Sequence, residues 1–133
     1  MQLSRRGTDR AAQALLVQSS ARQPTCTLTS MSRQPGFHQV ERIADIGQGD
    51  AVFAAAAEQV MTWQMHRDAG LRITPSTPRA EIGTDVVAGM PLGPVQILAP
   101  CRVVRVVEET RSAGFRYATL PGHPERGLEE FLV

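Results

Sequence analysis

Cys101-Arg102-Val103-Val104-Arg105-Val106-Val107, followed by Phe115-Arg116-Tyr117-Ala118-Thr119-Leu120, decides the fold. The first stretch is valine-rich, and β-branched side chains fit a pleated, half-buried surface. The second alternates, with Phe115, Tyr117 and Thr119 on one face and Arg116, Ala118 and Leu120 on the other. Glu108 to Gly114 is a polar connection in which Gly114 supplies the turn, so the two stretches predict an antiparallel hairpin. Their spacing puts Arg102 and Arg105 on opposite faces. The arginine that points inward must then meet a carboxylate, from a glutamate or from a ligand.

Upstream, Val86-Val87 opens a strand, Met90 to Pro94 breaks or bends it, and Val95 to Leu98 resumes it. Thr74 to Pro78, with its two prolines, reads as a loop. Before that the period changes from two to helical. Phe53, Ala56, Ala57, Val60 and Gln64 share a face, and Met61, Trp63 and Met65 widen it. One helix is predicted from Asp50 to Asp68, with Asp50 as N-cap after the Gly47-Gln48-Gly49 turn and Gly70 as the left-handed C-terminal cap. Downstream, Pro121-Gly122-His123-Pro124 is a rigid turn and Glu129 to Val133 begins another strand. The pattern is α+β: an antiparallel sheet with one main helix.

Met1 to Gln34 reads differently. It is rich in Ser, Thr, Arg and Gln, and it is expected to be a disordered or loosely attached extension to a single domain over 35–133. Thr8 or Asp9 is placed to cap a short helix through Gln18, but Leu15, Leu16 and Val17 offer too little apolar surface for that helix to stand alone. Arg5-Arg6 before Ala11 to Val17 faintly resembles an export signal. Asp9, Arg10 and Gln13 interrupt that pattern, and a cytoplasmic location is expected.

At 133 residues, with 42% hydrophobic and 20% charged residues, the composition is that of a globular domain. A net charge of +1 gives no field to draw nucleic acid. No apolar run is long enough to span a membrane. Cys26 and Cys101 lie far apart with no metal-ligand spacing around them, and the sequence carries neither a P-loop nor a dinucleotide fingerprint, so neither a metal nor a cofactor is expected.

Three segments carry a family resemblance: Gly47-Gln48-Gly49-Asp50 through Trp63-Gln64-Met65-His66 to Gly70; Ala99-Pro100-Cys101-Arg102-Val103-Val104; and Gly114 through Glu125, with Gly127 and Glu129. In that order and spacing, Pro35 to Val133 resembles domain-of-unknown-function family 1990. The chain departs from the family's pattern at Ala118, where glycine is usual, and at Leu128, where glutamate is usual. The resemblance implies a further strand and an Arg-rich amphipathic helix beyond Val133, so the chain is expected to be C-terminally truncated. It also implies a helix-grip layout, in which a curved sheet wraps a helix around an apolar cavity.

The expected ligand-binding residues are Trp63, His66, Arg102, Tyr117, His123 and Glu129. His66 near a helix end also reads as an ordinary polar terminus, and Trp63 as a core residue. His123 is held between prolines in the most site-like loop of the chain. Three functions follow: a binding module for a small apolar molecule, an enzyme with His123 and Glu129 as acid/base pair, or an interaction module that self-associates through an unfinished sheet.

Overall fold

The computed structural model describes residues 2–5, 9–26 and 30–133. Among the described residues six strands form one antiparallel sheet: β1 (Gln2–Arg5), β2 (Arg72–Pro75), β3 (Asp85–Leu92), β4 (Val95–Glu109), β5 (Ser112–Thr119) and β6 (Leu128–Leu132). The helices are α1 (Asp9–Ser19), α2 (Asp50–Met61) and α3 (Gln64–Asp68). The sheet runs β2-β3-β4-β5-β6, with β1 paired to the first part of β4. The chain is therefore α+β, as its period-two stretches imply.

The predicted hairpin is present, and it is tighter than the sequence suggests. Glu109 pairs directly with Ser112, so Thr110 and Arg111 alone make the turn. Gly114 lies inside β5 instead of in the turn. A Cβ at that position would fall on the carbonyl oxygen of Phe131. Glycine is required there because β6 passes too close for any side chain.

Val95–Leu98 and Cys101–Val107 are one strand, β4, which continues through Pro100. A register shift between Val103 and Arg105 leaves Val104 as a bulge. This corrects the placement of the two arginines. Arg102 pairs with Ala118 and Arg105 with Arg116, and those partners share a face of β5. The extra residue at the bulge resets the alternation, so both arginines lie on one face while Cys101, Val103 and Val106 lie on the other. Thr74 and Pro75, read as loop, end the edge strand β2; proline is tolerated at such an edge.

The single helix expected over 50–68 is two helices. Trp63 breaks it with φ 67°, a left-handed conformation that costs a non-glycine residue about 1–3 kcal/mol. At about 100° per residue, Val60, Met61, Trp63, Met65 and His66 would point all around a continuous helix. The break lets Val60, Met61, Trp63 and His66 all be buried. Asp50 is the first helical residue and makes no side-chain cap; Gly49 takes the cap position. Gly70 behaves as expected. At φ 91° it donates to the carbonyl of Arg67, and Leu71 donates to that of His66, which closes a Schellman motif.

The two faces of the sheet are covered separately. On one, Val60, Met61 and Trp63 pack against Val86, Cys101, Val103, Phe115 and Tyr117. On the other, Ala12 and Leu15 of α1 pack against Val87 and Leu98. Adjacent Val86 and Val87 serve opposite cores, as alternation along a strand requires. Fully burying a side chain of this size contributes roughly 1.5–3 kcal/mol. Residues 9–19, in the segment read as a loose extension, thus form a helix that the sheet supports. Arg6 and Thr8, named in the reading of that segment, lie outside the described residues.

Arg102 fastens this helix to the sheet. Its Nε donates to Asp85 Oδ1 at 2.7 Å, while Nη2 donates to the Ser19 carbonyl at 2.8 Å and Nη1 to the Arg22 carbonyl at 2.9 Å. The guanidinium fork is well matched to the paired carboxylate and to the free carbonyls of a helix end. On the same sheet face, Arg116 and Arg105 share Glu130.

Residues 38–50 run exposed along the surface, with Val40, Ile43 and Ile46 facing solvent. Among the described residues no backbone hydrogen bond ties 38–46 to the sheet. Trypsin is expected to cut after Arg42 well before it cuts after Arg102 or Arg116, because proteolysis selects backbone that opens cheaply. Mass mapping of a limited digest checks this. First cleavage at Arg102 would contradict the packing of β4.

Candidate functional site

The feature of the fold that packing alone does not explain is His66. Its residue is 3% exposed, yet neither ring nitrogen has a hydrogen-bond partner among the described residues. An unsatisfied buried polar atom costs about 1–3 kcal/mol, so a native structure that retains two calls for an explanation.

The Trp63 break and the short helix α3 bring His66 onto the middle of β5 and β6. Four aromatic rings surround it. Phe131 lies edge-on with centroids 4.6 Å apart, Trp63 is at 5.8 Å, Phe115 at 5.9 Å and Tyr117 at 6.0 Å. The β5–β6 register pairs Phe115 with Phe131 and Tyr117 with Glu129, which places these four side chains on one face. The Tyr117 hydroxyl donates to Glu129 Oε2 at 2.9 Å. Glu129 itself is exposed, so the cluster runs from a dry interior to a wet carboxylate. The Trp63 indole N–H donates to the Thr77 carbonyl at 3.3 Å. Half-buried Met65, Phe131 and Val133 form part of the rim.

The apolar surroundings govern protonation. Burial, helped by the charge of Arg67, lowers the His66 pKa to about 4, so the ring is neutral at physiological pH. Burial pushes the Tyr117 phenol well up, with the Cys101 and Glu129 acids adding to the effect. The Cys101 thiol is raised in the same way, by burial first and then by Glu129, which leaves it a poor nucleophile.

The sign of the pH effect follows. Between about pH 4 and 6.5 the unfolded chain binds a proton at His66 that the folded chain refuses. Stability therefore falls as pH drops through that window, by on the order of 3 kcal/mol. His123 contributes in the same direction, because its burial also lowers its pKa. His66→Phe is expected to flatten much of the slope. Urea titrations of both proteins at several pH values check it, and an unchanged slope would contradict the burial of His66.

Of the six residues expected to bind a ligand, the structure gathers four: Trp63, His66, Tyr117 and Glu129. Arg102 is on the α1 face, bound to Asp85 and to two carbonyls. His123 stays in its turn, where Nδ1 accepts from the Glu125 N–H at 2.9 Å. Among the described residues no hydrogen bond or ion pair joins His123 to Glu129. Phe115 and Phe131 were missing from the expected set. The alternation already put Phe115 on the face of Tyr117, whereas Phe131 joins them only once the β5–β6 register is known. Among the described residues no three His, Cys, Asp or Glu side chains are placed to hold a metal ion, and no helix is long and apolar enough to cross a membrane.

Comparison with known proteins gives a family and no activity. The model of a family described as "Domain of unknown function (DUF1990)" matches residues 22–133. A UPF0548 protein of Deinococcus radiodurans is 35% identical over 108 residues, covering 74% of this chain and 52% of the relative. The chain thus spans about half the length of the curated relative it matches. No solved structure matches.

Proposed function

The chain belongs to the DUF1990 family, and from its geometry we propose that it is a binding module for a small, partly apolar molecule held between α3 and the β5–β6 face of the sheet. The observation that carries this is His66, a neutral imidazole among four aromatic rings with both nitrogens unpartnered. Apolar walls around a few convergent polar groups are the usual make-up of a small-molecule site. Ligand entry requires the half-buried Met65 and Phe131 to move aside, and methionine is the more adaptable of the two. The helix-grip layout suggested by the family resemblance is compatible with this reading. An acid/base enzyme built on His123 and Glu129 is less supported, because each is engaged elsewhere.

Trp63 is the sole tryptophan and belongs to the cluster, so it reports on the site directly. Titration with the uncharged dye N-phenyl-1-naphthylamine is expected to quench Trp63 emission saturably. The melting temperature is expected to rise with dye concentration, as linkage requires. Emission and melting temperature that both ignore the dye would contradict a binding role.

A further inference from the structure

We infer that the free edge of β6 is a self-association surface. It takes β6 of a second copy of this chain, antiparallel, about a two-fold axis through Glu130 that stands perpendicular to the sheet, so that the two sheets become one. The ligand reading does not depend on it.

Among the described residues β6 closes the strand order, with β5 on one side and no strand on the other. Val133 and Ala113 exchange both of their backbone hydrogen bonds, and the Thr119 N–H donates to the Gly127 carbonyl. Bonding direction alternates along an antiparallel strand. Glu129 and Phe131 therefore also turn their backbone groups toward β5, while Leu128, Glu130 and Leu132 turn theirs outward. Such an open row of donors and acceptors templates another strand unless the edge is blocked. The opposite edge of the sheet is blocked. Ser76 donates to the Asp85 carbonyl, so Ile73 and Pro75 are the outward residues of β2, and Pro75 has no N–H to offer. β6 carries no proline, lysine or bulge, and its Leu132 is 50% exposed.

The residues of β6 select a second copy as the occupant. Setting Glu130 opposite Glu130 of the second copy places Leu128 opposite that copy's Leu132, and Leu132 opposite its Leu128. Every outward residue then meets an outward residue, as closely bonded antiparallel pairs require, and two leucine pairs form on one face. Any other register of the strand with itself leaves Leu128 or Leu132 unmatched. Like charges directly opposite each other normally oppose such a pairing. Here the Glu130 carboxylate is drawn back over the sheet, away from the axis. Its Oε2 accepts from Arg116 on β5 and from Arg105 on β4, so two guanidinium groups neutralise it. On the other face Glu129 stays bonded to the Tyr117 hydroxyl and needs no new partner.

Sedimentation equilibrium of the full chain tests this. The wild type is expected to approach twice the monomer mass as concentration rises and to return to monomer mass on dilution. Leu132→Pro removes an outward N–H and no bond to β5, and Leu132→Lys puts on the edge the charge that blunts natural edges. Both variants are expected to remain at monomer mass with the circular dichroism of the wild type. The register has its own readout. Leu128→Cys and Leu132→Cys chains, mixed and oxidised, are expected to give a disulfide-linked pair in higher yield than either chain oxidised alone. Wild type that stays at monomer mass up to about 1 mM, the weak end of specific association, would overturn the proposal, including the case in which the edge serves a strand of some other protein. A dimer that persists in both Leu132 variants, or cysteine chains that link as well alone as mixed, would also overturn it, by moving the contact away from this register of β6.

Discussion

Trp63→Ala is expected to lower the unfolding free energy by about 3–5 kcal/mol, the range for truncating a large buried aromatic. The indole is fully buried, packs on Phe115 with centroids 4.9 Å apart and ties to the Thr77 carbonyl through its N–H. Alanine abandons these contacts but keeps a left-handed backbone that only glycine adopts readily. It therefore loses the packing that makes the conformation worthwhile. Trp63→Phe restores part of the volume and is expected to lose less. Urea denaturation followed by far-ultraviolet circular dichroism measures both. A loss below about 1 kcal/mol, typical of an ordinary surface substitution, would contradict the burial described here.

Arg102→Ala is expected to have a comparable effect for an electrostatic reason. It strands the buried carboxylate of Asp85 and leaves the Ser19 and Arg22 carbonyls without their donor. Removing one partner of a buried ion pair costs about 3–5 kcal/mol, because the remaining charge is left in a poor solvent. Arg102→Lys retains the charge without the fork and is expected to fall between wild type and alanine. Hydrogen exchange separates this from a general loss of stability. The amides of α1 are expected to lose protection before those of β4 and β5. Uniform loss across the sheet would contradict the role of Arg102 as the fastener of α1.

Much of the architecture was legible because it depends on local chemistry. The valine run of β4 and the alternation of β5 specify a hairpin whose inner face is Phe115 and Tyr117. Gly70 announces a helix end, and the Schellman hydrogen bonds form there. The features that escaped depend on contacts between distant segments. Val104 looks like any other valine, yet it is the bulge that brings Arg102 and Arg105 to one face. Gly114 reads as a turn residue until β6 is laid against it. Trp63 fits a helical stripe, and only the demand to bury Met61, Trp63 and His66 together reveals the break.

The candidate site divides in the same way. Trp63, His66, Tyr117 and Glu129 could be chosen by residue type, but grouping them required the α3 orientation and the β5–β6 register. One of Arg102 and Arg105 was expected to meet a glutamate or a ligand carboxylate, and Arg102 meets a carboxylate of another kind. That carboxylate is Asp85, which is far from Arg102 in sequence but adjacent across the β3–β4 ladder. His123 had the rigid loop of a functional imidazole. Its Nδ1 instead stabilises the loop itself by accepting the Glu125 N–H.

The most direct measurement is native mass spectrometry of the chain and of His66→Phe, each purified from the same producing cells without detergent. The expected result is a folded, low-charge distribution for both proteins. A small molecule is expected on the wild type and is lost or strongly depleted on the variant. Folded wild-type protein that carries nothing and takes up no N-phenyl-1-naphthylamine, or an adduct retained equally by His66→Phe, would contradict a ligand site built around His66.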